Sequence, residues 1–378
     1  MSISEYENEG LLTIDLGAIG DNYAWLRERL ADGCRCAAVV KADAYGLGVS
    51  EVAPALYRRG CRDFFVATLA EGEQLRALLP ADVSICVLTG IRPGTERRCA
   101  AAKLMPILVT VEQLRRWCAG TGSEDSNGRA APCALKVDTG MTRLGMGEEE
   151  FARLLQVPEL LGRANVQLIL SHLACADEPS HPQNPAQLAR FNDFVRRLRR
   201  VCPGVLASFA NSSGICLGDA YHFDLARPGS ALYGINPLPD RENPMRPVVN
   251  LRVPVLQQRE ITRDSAVGYG AEGRAVAGSW LAVVRGGYAD GMLRTQSGRG
   301  RAMAIAGDEK IPVPMLGRVS MDTCVFDISA LSTVQRARLE EFELLGEGWT
   351  LDDMGAVAGT IGYEILTSLG RRYRRRYL

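Results

Sequence analysis

The sequence has no surplus of charge of either sign. Lysine and arginine total 44 against 44 aspartate and glutamate, so no overall field draws the chain to nucleic acid or to an anionic membrane. Long hydrophobic runs are missing too. None approaches the roughly 18 residues that a membrane span needs, and the opening MSISEYENEG carries three glutamates without the apolar core of a secretion signal. There is no CxxC pair; the eleven cysteines stand singly, as at Cys36, Cys86, Cys175 and Cys324. An odd number of scattered cysteines fits reduced thiols, and the cytoplasm is the expected compartment. No GxGxxG follows the first apolar strand, which weighs against an open dinucleotide-binding sheet. No repeat recurs along the chain, and the polar tract at 121–132 (TGSEDSNGRAAP) comes nearest to low complexity.

What is present points to small-molecule chemistry on two domains. The 378 residues are 47% hydrophobic and 23% charged, enough for a large core. Short apolar runs fall at 36–41, 64–69, 84–89, 104–110, 133–137, 166–171, 206–210 and 223–226. Stretches with helical spacing lie between them, including 111–119, 148–156 and 186–201. Eight strands alternating with helices predict an α/β fold, a parallel (β/α)8 TIM-type barrel over 11–240. The proline-rich NPLPDRENPMRP then marks a boundary. Beyond it, β-rich runs punctuated by Gly, Pro and Asp predict a mainly β domain over 241–378, against which residues 1–10 have room to pack. The terminal RRYRRRYL reads as a solvated basic tail.

Barrels of this kind carry their functional groups where strands end. Here those positions hold Lys41 and Tyr45; Lys136, Asp138 and Arg143; Ser171 and His172; Asn211, Ser212 and Ser213; and Arg227, Gly229 and Ser230. A lysine at the end of an apolar run more often packs its stem on neighbours and keeps its head in water. Desolvated in a barrel mouth, it instead loses its proton readily and attacks an aldehyde to form a Schiff base. Pyridoxal phosphate needs such a lysine, an anchor for its phosphate and a partner for its ring nitrogen. ANSSG at 210–214 and RPGSALYG at 227–234 lie where barrels commonly hold phosphate.

The order VVKADAYGLG, KVDTGMTRLG, SHLACAD, ANSSG, RPGSALYG, VGYG, GYADG, GRVSMD and IGYEIL resembles that of the bacterial alanine racemases, fold-type III pyridoxal phosphate enzymes. The likeness runs from about residue 11 to the C-terminus. It implies that Lys41 carries the cofactor and acts as one catalytic base. Tyr45, Ser212, Gly229, Ser230 and Tyr363 are implied as the phosphate cradle, with Asn211 shaping the loop. Arg227 is implied as the partner of the pyridine nitrogen, to which an arginine can only donate; His172 is implied as its support. Tyr269 is implied as the opposite base, reaching the site of the partner subunit in a head-to-tail homodimer, with Lys41 on the D face and Tyr269 on the L face. Met321, Asp322 and Tyr288 are implied on the substrate side, Tyr288 and Tyr363 narrowing the entrance. Lys136 is implied to be carbamylated, an anion that would orient Arg143 toward the cofactor's phenolic oxygen and the substrate carboxylate. Leu47 and Ser320 depart from the family's usual histidine and cysteine.

The implied reaction is interconversion of L- and D-alanine, supplying D-alanine for peptidoglycan. A racemase of serine or another small amino acid is the nearest alternative, against which Tyr363 argues. A decarboxylase of the same fold type would place a carboxylate where Arg227 stands, and a cofactor-binding protein without turnover would lack the β domain. A metal hydrolase on His172, Asp177 and His181 fits no common ligand spacing, so no metal is expected.

Overall fold

The computed structural model describes residues 9–121 and 128–378. The first domain is built on strands β2 (Arg35–Cys36), β3 (Ala38–Val39), β4 (Asp63–Val66), β5 (Ser84–Val87), β6 (Met105–Leu108), β7 (Pro132–Lys136), β8 (Asn165–Leu170), β9 (Leu206–Ser208) and β10 (Leu225–Ala226). β3 to β9 form a continuous parallel sheet, and β10 pairs in parallel with β2. The barrel closes because β2 and β3 are one strand interrupted at Ala37, whose N–H donates to Ala226 O at 2.9 Å, while Arg227 N–H donates to Ala210 O at 2.8 Å. Helices wrap it as the apolar spacing predicts: Val111–Thr121, Glu148–Leu155 and Gln183–Arg199 overlap the three predicted segments. Each of the eight apolar runs contains a strand, though several strands stop short where the polar strand ends begin.

The second domain is a sheet in which β1 (Leu11–Ile14), β11 (Val249–Glu260), β14 (Trp280–Arg285), β15 (Arg301–Ala306), β16 (Glu309–Pro314), β17 (Thr323–Asp327), β18 (Leu339–Leu345) and β19 (Arg374–Tyr377) pair, with a small hairpin of β12 (Ser265–Val267) and β13 (Gly273–Ala275) beside it. Two features differ from the sequence expectation. Leu11–Ile14 lies not in the barrel but between β11 and β19, because Leu12 and Ile14 find a buried face there. The arginine-rich terminus is no solvated tail: β19 runs parallel to β1, and Arg374 N–H donates to Gly10 O at 2.9 Å. Of the segment 1–10, residues 1–8 lie outside the described residues, as do 122–127 of the polar tract. Two helices, Leu351–Ala358 and Gly362–Ser368, interrupt the β pattern near the end. All eleven cysteines are free thiols.

Candidate active site

The strand that ends on Lys41 stops there for a backbone reason. Val40 has left the extended region at ψ 22°, and Ala42, Asp43, Ala44 and Tyr45 all take φ between 52° and 56°. A left-handed turn of non-glycine residues costs about 1–2 kcal/mol per residue, so neighbours must hold it. Glu71 Oε1 accepts from Ala42 N–H at 3.0 Å while its other oxygen accepts from Ala67 N–H. Asp43 Oδ1 accepts from Val49 N–H at 2.8 Å. The second domain completes the clamp: Arg375 donates to Gly46 O, and the Tyr377 hydroxyl donates to Leu47 O at 2.9 Å. Leu47, one of the two departures, is fully buried in this turn. The sequence reading missed Glu71, although Thr68 and Glu71 form a legible capping box.

Lys41 thus projects at the barrel mouth with its Nζ 5.9 Å from the Tyr45 ring centre. Burial, and next the Arg143 charge, hold its amine below the usual lysine range; Glu71 opposes them weakly. Lys136, at the end of β7, is buried and pushed down to about 8 by desolvation first, then by Arg227 and Arg143. Arg227 is buried after β10, and desolvation brings it to about 10. Its guanidinium donates to Ser208 Oγ and, at 2.6 Å, to Ser171 O. Those partners hold it. His172 feels the same field: burial and the cations of Arg227, Lys136, Arg143 and Lys41 keep it well below the ordinary histidine value, so the imidazole is neutral. Arg143 sits on a loop shaped by Asp138, whose Oδ1 accepts from the N–H groups of Gly140, Met141 and Thr142 at 2.8, 3.0 and 3.1 Å.

On the opposite side of the mouth, Ser212 Oγ accepts from Gly229 N–H at 3.0 Å and Ala231 N–H at 3.3 Å. Asn211 caps this turn through Gly214 N–H at 2.8 Å, a structural task in keeping with its expected one. A Cβ on Gly229 would stand 2.5 Å from the Tyr45 hydroxyl, so only glycine lets that hydroxyl approach the loop. Tyr45 and Tyr363 rings lie 6.2 Å apart, and Ser230 sits beside the Tyr363 hydroxyl. Burial raises both phenols, which therefore stay protonated as donors. The mouth combines two depressed amines, a buried guanidinium and a ring of neutral hydroxyl donors. Such a set suits a ligand with a dianionic group, an aldehyde and an unprotonated ring nitrogen, so the residues fit pyridoxal phosphate.

Four implied residues lie elsewhere. Tyr269 is 68% exposed and Met321 52% exposed, with Tyr288 also exposed, and among the described residues no hydrogen bond or ring contact joins them or Asp322 to Lys41. Their turns are nonetheless fixed. Tyr288 N–H donates to Ser320 O at 2.9 Å, Ala289 N–H to Met321 O at 3.0 Å and Gly286 N–H to Asp322 O at 2.9 Å. Any side chain at Gly287 would strike Ser320 O and Met321 O. Arg372 spans both turns, donating to Asp290 at 2.6 and 2.8 Å and to Asp322 at 2.7 Å. Asp290 is buried and also accepts from Gly287 N–H at 3.0 Å. Arg372→Ala strips the buried Asp290 of its cation, so the variant is expected to melt at lower temperature. Its KM for substrate is expected to rise several-fold with a smaller change in kcat; steady-state kinetics that match the parent would separate this arginine from the turns' function. Only pairing across the fold, invisible in sequence, reveals it.

His172, Asp177 and His181 do not assemble: among the described residues no group of three or more His, Cys, Asp or Glu could hold a metal, and His181 Nδ1 accepts from Gln183 N–H at 3.1 Å.

The family models for the alanine racemase N-terminal and C-terminal domains match residues 14–237 and 248–377. The chain belongs to the alanine racemase family. It is 46% identical over 376 residues to a catabolic alanine racemase of Mesorhizobium japonicum, covering 100% of this chain and 95% of that protein. It is 47% identical over 367 residues to an alanine racemase of Rhodospirillum rubrum, covering 97% and 95%. Among solved structures, an alanine racemase from Bartonella henselae with covalently bound pyridoxal phosphate superposes with a TM-score of 0.90 at 39% identity, covering 98% of this chain and 99% of that one. Family membership makes the chain an amino-acid isomerase.

Proposed function

We propose that the chain is a pyridoxal phosphate-dependent alanine racemase working with two bases on opposite faces of the substrate. The carrying observation is Arg227, buried beside the mouth that holds Lys41, with a serine hydroxyl, a backbone carbonyl and the Phe65 ring as partners and, among the described residues, no carboxylate. When bound, pyridoxal phosphate acts as an electron sink that acidifies the substrate Cα–H. Arg227 can only donate to the ring nitrogen, which leaves that nitrogen unprotonated and the sink weak. A weak sink favours returning a proton to Cα over transamination. Lys41, Tyr45, Ser212, Gly229, Ser230 and Tyr363 hold the cofactor, and Arg143, oriented by a carbamylated Lys136, meets its phenolic oxygen and the substrate carboxylate. The neutral fraction that depression gives Lys136 at neutral pH, about a tenth, is what carbamate formation requires.

Lys41 moves the Cα proton on the D face and Tyr269 of the partner subunit moves it on the L face. The exposure of Tyr269, Tyr288 and Met321 on stiff, stitched turns supports a homodimer in which each chain lends these residues to the other's site, with Asp322 bracing the carboxylate-binding turn. The two domains meet near residue 240, and the enzyme acts in the cytoplasm; among the described residues no helix is long and apolar enough to cross a membrane. Tyr288 and Tyr363 crowd the entrance and favour alanine over serine.

The test is racemisation of L-alanine and L-serine followed by chiral chromatography, with and without added pyridoxal phosphate. Alanine turnover that depends on the cofactor and exceeds serine turnover is expected; activity on serine alone would overturn the substrate assignment. Physiological use is a separate question, since one relative is named catabolic and the other is not. We favour supply of D-alanine to peptidoglycan. Deletion that produces a D-alanine requirement supports that supply, and deletion that abolishes only growth on alanine supports breakdown.

A further inference from the structure

A cavity of about 510 Å³ lies at the other end of the barrel from Lys41, where the strands begin. Its walls are the first residues of β2, β4, β5, β6, β7, β9 and β10 together with the start of β8. Most of this surface is apolar, from Ile85, Leu104, Leu168, Leu206 and Leu225. Two opposite charges interrupt it. Asp63 opens β4 and is dragged inward by Phe64, Phe65 and Val66, all buried, which leaves its side chain 8% exposed. Arg35 opens β2, with its side chain 53% exposed and one guanidinium nitrogen 3.4 Å from Asp63 Oδ1.

This pair is poorly used by the fold itself. Among the described residues the Asp63 carboxylate accepts no hydrogen bond, and the Arg35 contact lacks the geometry of one. Burial raises the Asp63 acid above its ordinary value, and Arg35 only partly offsets this. A buried carboxylate normally gathers two or three donors, and here the space in front of it is open cavity. A second cation, Lys103, stands at the exposed rim. One acid inside, two bases toward the opening and an apolar chamber around them form a pattern that matches neither a simple amine nor a simple anion, but a zwitterion with an apolar body.

We infer that the strand-start end of the barrel is a second binding site, built for a free α-amino acid with a branched or aromatic apolar side chain. The ligand's ammonium would donate to Asp63, its carboxylate would accept from Arg35 and Lys103, and its side chain would lie against Leu104, Leu168 and Leu225. Alanine is too small to fill this chamber, so the site selects against the family's substrate.

The experiment is a calorimetric titration of L-leucine into the holoenzyme kept saturated with racemic alanine, so that the barrel mouth is occupied throughout. Saturable binding is expected. Isopentylamine, which lacks the carboxylate, and 4-methylpentanoate, which lacks the ammonium, are each expected to bind at least tenfold more weakly. Asp63→Asn is expected to weaken leucine at least tenfold while leaving racemisation unchanged. Absence of saturable binding overturns the inference, as does equal binding of leucine and both half-ligands, which would mark a merely greasy cavity. Unaltered leucine binding to Asp63→Asn overturns it as well. Should that variant fail to fold, the half-ligands on the parent protein decide the matter alone.

Discussion

Lys41→Ala is expected to lower racemisation by about 10³- to 10⁴-fold or more, because in the proposed mechanism it removes both a proton-transferring base and the covalent anchor of the cofactor. Chiral chromatography measures the first loss. Borohydride treatment followed by peptide mapping measures the second: the parent should yield the cofactor on the peptide containing residue 41, and the variant should yield none. The physical basis is an amine held below its usual basicity by burial and by Arg143. Raising pH therefore charges less of an amine that is already predisposed to be neutral, and the acid limb of the rate profile should lie below the pH at which an exposed lysine titrates. A Lys41→Ala enzyme that keeps its colour and its turnover would remove this lysine from the mechanism.

Tyr269→Phe is expected to leave cofactor binding intact and to depress racemisation by about 10²- to 10⁴-fold, the range for loss of one general acid–base group. A tyrosine is a weak base at neutral pH, so the proton must be drawn on through a polar network at the mouth it reaches. The two variants together test where that mouth is. Each variant is nearly inactive alone, but in the proposed two-fold dimer with shared sites a mixed assembly would have one site carrying both lesions and one carrying neither. Random mixing should then recover about a quarter of the parent activity. No recovery on mixing, under conditions where subunits exchange, would mean that Lys41 and Tyr269 act within one chain.

The barrel was legible because its strands are buried on both faces and so appear as unbroken apolar runs such as FFVATL and LILS, with amphipathic segments between. The mouth was legible because Lys41, Lys136, His172 and Arg227 are polar residues placed where those runs end. Other elements were hidden by the same logic. LLTI looks like any short buried strand, and nothing local says that its partners are 249–252 and 374–377. RRYRRRYL looks solvated because charge dominates its composition, yet Arg372, Arg375 and Tyr377 bond to Asp290, Asp322, Gly46 and Leu47. The left-handed turn at 42–45 escaped notice because three of its four residues, Ala42, Ala44 and Tyr45, are types that rarely adopt it. Tertiary contacts impose it. Tyr269, Tyr288 and Met321, by contrast, were singled out by motif resemblance alone; among the described residues no hydrogen bond or ring contact joins them to the lysine.

The clamp on that turn also orders events in time. Residue 41 is made more than 300 residues before Arg375 and Tyr377, the groups that fix its loop, and these hang from a strand that has no bed until Leu11–Ile14 and Val249–Glu260 have paired. A ribosome that has just released residue 240 therefore carries every barrel strand and an unfinished lysine loop. The lysine loop is locked only once residues 375 and 377 have docked onto it.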